Sequence, residues 1–153
     1  MSRTLPAARD AFIAAMKRDT SGTELPRLVA VLDALIKWSV ARPTQLAFKS
    51  DDSQSSVLSF ERVGTKAVFW SARVVRGDAP KLEIYPPTGR SLIPEARAKV
   101  RETLNANSRE VLTDNDRLRI GFGALKNVAA RTPVLAMLDE LMASDAQAVQ
   151  LTA

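Results

Sequence analysis

The stretch VLSFERVGTKAVFWSARVVRGDAPKLEIY, residues 57–85, decides how this chain folds. Apolar and polar side chains alternate through 57–62, 66–75 and 81–85, which is the period of two that a half-buried strand requires. Two short glycine-containing connections, Val63-Gly64-Thr65 and Arg76-Gly77-Asp78, separate the three runs. Connections this short cannot carry a parallel crossover, so the runs are expected to pair as antiparallel neighbours in a meander. A weaker alternation over 44–49, followed by the polar turn 50–55, adds one strand before them.

The alternation also assigns faces. Leu58 and Phe60, then Val68, Trp70, Ala72 and Val74, then Leu82 and Ile84 are expected to point toward a packing layer. The intervening set points outward: Ser59 and Glu61, then Phe69, Ser71 and Arg73, then Lys81, Glu83 and Tyr85.

On the N-terminal side the period changes to that of helices. Residues 5–18 place Leu5, Ala8, Phe12, Ala15 and Met16 on one side, and Ser21-Gly22 breaks the pattern. A second helix starts near Glu24 with Pro26 in its first turn and carries Leu25, Leu28, Val29, Leu32, Leu35 and Ile36. Pro43 stops it, because the residue before a proline is pushed out of the α region. The helix pair thus spans about 5–42 and the meander about 44–85.

On the C-terminal side, Pro86-Pro87-Thr88-Gly89 closes the meander, and a third helix over about 92–105 carries Ile93, Ala96, Val100 and Leu104. Residues 105–116 read as a polar loop containing Val111 and Leu112. A final strand over about 117–122 alternates Arg117 and Arg119 with apolar residues and ends at Gly121 and Gly123, with glycine supplying positive φ. Thr132 as N-cap and Pro133 at the first helical position then open a last helix, about 133–143, with Val134, Met137, Leu138, Leu141 and Met142 in a stripe. The expected fold is a single α+β domain: an antiparallel meander of four to five strands, helices packed mainly on one face, and the other face open.

Composition narrows the chemistry. The chain of 153 residues contains neither cysteine nor histidine. Disulfides, thiolate zinc sites and thiol nucleophiles are therefore excluded, and so is every catalytic arrangement that draws a histidine from this chain. The lack of cysteine suits a reducing, cytoplasmic setting, and no apolar run approaches the ~20 residues that span a bilayer. Net charge is +5, with nine basic and four acidic groups in residues 60–101, while the flanking regions are nearly balanced.

Motifs with possible chemistry are few. Asp51-Asp52 and Asp114-Asn115-Asp116 are the densest acidic clusters, yet neither continues into a calcium loop, and no strand offers the acidic-x-Lys spacing of a magnesium nuclease. Gly121-Phe122-Gly123 begins like a dinucleotide fingerprint, but Lys126 stands where the third glycine belongs. Arg76-Gly77-Asp78 is what a tight turn requires. Arg97, Lys99 and Arg101 extend the basic region, with Glu95 four residues before Lys99. Trp38 and Trp70 read as core residues whose indole N–H groups need partners.

These readings converge on a non-enzymatic binding module that uses the open sheet face, at Phe69, Arg73, Lys81, Tyr85 and Arg119, to meet a protein or a nucleic acid, without cofactor or metal and away from membranes. Arginine and lysine would track phosphates while bases stack on the aromatic rings. A plainer account of the same residues makes Lys81, Glu83, Glu61 and Arg73 cross-strand charge pairs on a solvated surface. Two other classes stand beside the module. One is a histidine-free enzyme using carboxylates, with or without magnesium, and the other is a subunit that associates with its own copy through this face or the last helix.

Overall fold

The computed structural model describes residues 4–49, 56–77, 79–85, 111–113 and 118–152, of which 111–113, 118 and 144–152 are described by their backbone alone. Two helices, α1 (Leu5–Lys17) and α2 (Leu25–Val40), precede four strands, β1 (Leu46–Lys49), β2 (Val57–Arg62), β3 (Val68–Arg73) and β4 (Lys81–Ile84). Two further strands, β5 (Val111–Thr113) and β6 (Leu118–Gly121), lead through a 3-10 turn at Phe122–Leu125 into α3 (Val128–Thr152). The result is an α+β fold around one antiparallel sheet, in the order β1-β2-β3-β4-β6-β5.

Each helix starts where its sequence says it should, with one exception. Thr4 caps α1, its hydroxyl accepting from the Ala7 N–H at 3.3 Å, and Pro6 sits in the first turn where its missing N–H costs nothing. Pro26 plays the same part in α2. The exception is α3, which begins at Val128 and carries Pro133 inside it. Thr132 is no N-cap, since its hydroxyl donates back to the Val128 carbonyl at 3.0 Å. The Asn127 carbonyl starts the helix by accepting from Ala130 and Arg131, both at 3.0 Å. The fixed φ of proline is compatible with helix, so Pro133 forfeits one hydrogen bond without ending the element.

The meander pairs antiparallel as expected, with Ser59↔Ser71 between β2 and β3 and Ser71↔Glu83 between β3 and β4. Three features differ from the sequence reading. First, Val111–Thr113 is a strand paired with β6, so the described sheet has six strands. Three residues are too few to show an alternation, and their pairing comes from the partner strand. Second, β6 ends at Gly121 with an extended backbone, φ −64 and ψ 141, so glycine there supplies no positive φ. Gly64 and Gly77 do supply it, at φ +100 and +80, in the two connections of the meander. Third, the β2–β3 register shifts between Phe60 and Glu61: Phe60 faces Trp70, but Glu61 faces Val68, leaving Phe69 as an extra residue.

That bulge reverses the faces of two residues. Trp70, Ala72, Leu58, Phe60, Leu82 and Ile84 are buried in the core with α1 and α2, as the alternation requires. Val68, by contrast, pairs with the outward-facing Glu61, and Phe69 turns inward to stack on Trp38 of α2 at 6.1 Å between ring centroids. Arg62 braces the bulge from β2, donating to the carbonyls of Val68 at 2.6 Å and Tyr85 at 2.9 Å while its guanidinium lies 4.9 Å from the Phe69 ring centre.

The core is aromatic along one cross-strand row, with Phe48 against Phe60 at 6.0 Å and Phe60 stacked on Trp70 at 5.3 Å. Phe122 from the 3-10 turn adds a contact to Phe12 of α1 at 6.2 Å. Val134, Met137, Leu138, Leu141 and Met142 of α3 join the same cluster. Arg42, just beyond α2, holds α3 by bonding Asp139, with a 2.9 Å contact from its Nε, and it also stacks 4.2 Å from the Trp38 ring centre. The helices thus form one layer on the inner face of the sheet. Among the described residues no helix is long and apolar enough to cross a membrane.

Candidate functional site

On the outer face the registers line up a single row across five strands, Lys49, Ser59, Ser71, Glu83 and Arg119. A neighbouring row brings Arg73 opposite Lys81. The middle of this face is not open. Ser59, Ser71 and Glu83 are 9%, 3% and 3% exposed. The two serine hydroxyls satisfy each other at 2.7 Å.

A buried carboxylate is costly unless donors surround it. Glu83 has them: the Tyr85 hydroxyl donates to its Oε2 at 2.6 Å, and the Nε atoms of Arg119 and Arg73 lie 3.4 and 3.8 Å from its Oε1. Arg119 stands directly across from Glu83, and Arg73 reaches it diagonally, a separation that long side chains bridge. Glu83 therefore lies within ion-pair distance of two guanidinium groups contributed by strands on either side of its own.

Beside this cluster lies a recess of about 240 Å³ lined by Arg73, Val75, Ala79, Lys81, Glu83 and Arg119. Pockets that enclose a whole small molecule run to roughly 300–1,000 Å³. This one has room for an anionic group such as a phosphate or carboxylate with some water. Three of its side chains are cationic and one is anionic. Val75, 56% exposed, forms an apolar part of the rim.

Of the five residues that the sequence nominates, the structure gathers Arg73, Lys81 and Arg119 at the recess. Tyr85 lies next to it, its hydroxyl occupied by Glu83. Phe69 is on the opposite side of the sheet, 1% exposed beneath Trp38. Glu83 is the residue whose importance the sequence understates. Its spacing two residues from both Lys81 and Tyr85 placed it on the right face, but its ion pair with Arg119 depends on β6 lying next to β4, which no local pattern reveals.

The other motifs resolve simply. Gly77 occupies a left-handed turn, with its N–H donating to Asp19 Oδ2 at 2.9 Å, while Asp78 lies outside the described residues. So do Asp51, Asp52, Asp114 to Asp116, and the helix expected over 92–105 with Arg97, Lys99 and Arg101. No three acidic side chains group as a metal site among the described residues. Trp70 donates from Nε1 to Ser39 Oγ at 2.7 Å, whereas the buried Trp38 Nε1 has no hydrogen-bond partner.

Compared with models of protein families, with curated proteins and with solved structures, the chain matches none.

Proposed function

We propose that this domain is a non-enzymatic binding module that meets an anionic partner, protein or nucleic acid, through the outer face of its sheet. The observation that carries the reading is the convergence of Arg73, Lys81 and Arg119, from three different strands, on one recess. Cations spread at random over a solvated surface would have no such focus. Glu83 supports binding over acid–base chemistry, since the Tyr85 hydroxyl already bonds its carboxylate and two guanidinium groups lie within ion-pair distance of it. With Phe69 turned into the core, recognition runs through the partner's charges and not through stacking on that ring. Attraction of this kind falls as salt rises.

Retention on a heparin column tests the proposal. The paired change Arg73→Glu and Lys81→Glu is expected to elute at much lower salt than the parent, with an unchanged circular dichroism spectrum. Lys17→Glu with Lys37→Glu is the control. It alters net charge equally at exposed helix positions and is expected to elute close to the parent. Equal loss of retention in both double variants would mean that total charge alone governs binding, and the site would be abandoned.

A further inference from the structure

We infer that the partner of the outer face is a protein segment bearing carboxylates and aliphatic side chains, and not a single-stranded nucleic acid. The inference rests on that face being a binding surface and names what it binds.

The placement of the aromatic rings speaks against a single strand. The chain has two tryptophans, one tyrosine and five phenylalanines, and all eight lie among the described residues. Six of them are buried in the core, and Phe48 packs on Phe60 on the inner face. Tyr85 alone stands on the outer face, half-buried, with its hydroxyl on Glu83. Proteins that hold single strands without reading their sequence seat successive bases on several aromatic rings. One ring cannot do so, and the chain has no other to add on this face.

Val75 points to a protein. A lone exposed valine on an open surface needs no explanation. This one, 56% exposed, lines a recess together with Arg73, whose side chain is 45% exposed. The recess thus sets an apolar wall beside a guanidinium group. A segment that brings a carboxylate to Arg73 and an aliphatic side chain to Val75 covers both, whereas a phosphate backbone answers only the first. The volume of about 240 Å³ accepts an acidic side chain from a segment lying over the sheet.

The backbone around Val75 is held in place. The Val74 N–H donates to the Ser56 carbonyl and the Gly77 N–H to Asp19 Oδ2, each at 2.9 Å, one on either side of Val75. A rim already ordered gives up little entropy when a partner docks.

The test uses the whole chain near neutral pH at low salt, with three fluorescein-labelled probes of equal net charge: a glutamate-rich peptide with leucines at spaced positions, the same peptide with serines at those positions, and an oligothymidylate. Fluorescence anisotropy reads the binding. The leucine peptide is expected to bind about fivefold tighter than the serine peptide, the ratio that covering a half-exposed valine gives, and tighter than the oligothymidylate. Val75→Ser, with an unchanged circular dichroism spectrum, is expected to erase the difference between the peptides, and Arg73→Gln to weaken both. An oligothymidylate that binds as tightly as the leucine peptide would overturn the inference in favour of nucleic acid. Equal binding of the two peptides would also overturn it and leave a face that answers to charge alone. So would a leucine preference that survives in Val75→Ser, since the apolar contact would then lie elsewhere. Failure of all three probes would overturn it as well, and the heparin comparison would then decide independently on the face itself.

Discussion

The Trp70 indole nitrogen donates to the Ser39 hydroxyl at 2.7 Å, and that hydroxyl donates in turn to the Leu35 carbonyl at 2.8 Å, one turn back along α2. Both side chains are fully buried. This relay is a polar link between strand β3 and the helix layer, and it satisfies a donor that water cannot reach.

Replacing Ser39 by alanine strands the indole N–H in an apolar interior. The expected loss is about 1–3 kcal/mol, the desolvation cost of an unpaired buried donor, read as a lower urea midpoint with unchanged slope. In a Trp70→Phe background the same Ser39→Ala change should cost less by about 1 kcal/mol, because the donor is already gone. Additive losses would show that the bond contributes nothing of its own.

Phe69 gives a sharper test of the bulge. If its ring lies under Trp38, Phe69→Ala opens a core cavity and should cost about 3–5 kcal/mol, as large aromatic deletions do. A ring on the outer surface would instead give a change within about 0.5 kcal/mol. Thermal or chemical unfolding separates these outcomes without any knowledge of the partner.

Arg42 performs three tasks at once: it bonds Asp139 on α3, donates to the Trp38 carbonyl at 2.7 Å and covers the Trp38 ring. Arg42→Ala should lose about 2 kcal/mol, with roughly 1 from the carbonyl bond and the remainder from a half-exposed ion pair and the cation–π contact. Arg42→Lys should recover little of it, since an ammonium group lacks the planar fork that serves several partners at once.

Acid sensitivity follows from Glu24. Lys126 bonds its carboxylate at 2.8 Å and holds it below the ordinary value of 4.5, chiefly through that hydrogen bond and then through charge. A lowered folded-state value means stability that is present above 4.5 and lost as pH falls through the folded value. Melting temperatures of the parent and Glu24→Gln should therefore differ slightly at neutral pH and converge in strong acid. A difference that grew on acidification would contradict the assignment.

Much of this fold is legible in the residues themselves. Val57–Arg62 and the turn glycines Gly64 and Gly77 appear where alternation and punctuation place them, because strand period and positive φ are local properties. Pro6 and Pro26 mark helix starts for the same reason. Val111–Thr113 escaped because a three-residue strand exists only through its neighbour, and the start of α3 escaped because a proline tolerated within a helix looks the same as one that opens it.

The site divides along the same line. That Arg73, Lys81 and Glu83 share a face is written in their spacing. That Arg119 meets Glu83 depends on β6 inserting beside β4, a matter of strand order. Phe69 was misplaced because a single extra residue breaks the count of two, and no propensity announces where it will be inserted.

The bulge also divides the sheet into two territories. All the pairings that build the recess, from Val57 with Arg73 through Glu83 with Arg119, lie on the C-terminal side of it along β3 and remain unbroken. The irregularity serves only the corner where Trp38 and Arg62 enclose Phe69. Tyr85 ties the two territories together, since its N–H donates to the Phe69 carbonyl at 3.0 Å and its hydroxyl to Glu83 at 2.6 Å, so a substitution that repacks the corner is felt in the basic cleft. In this fold, durability and recognition meet at Tyr85.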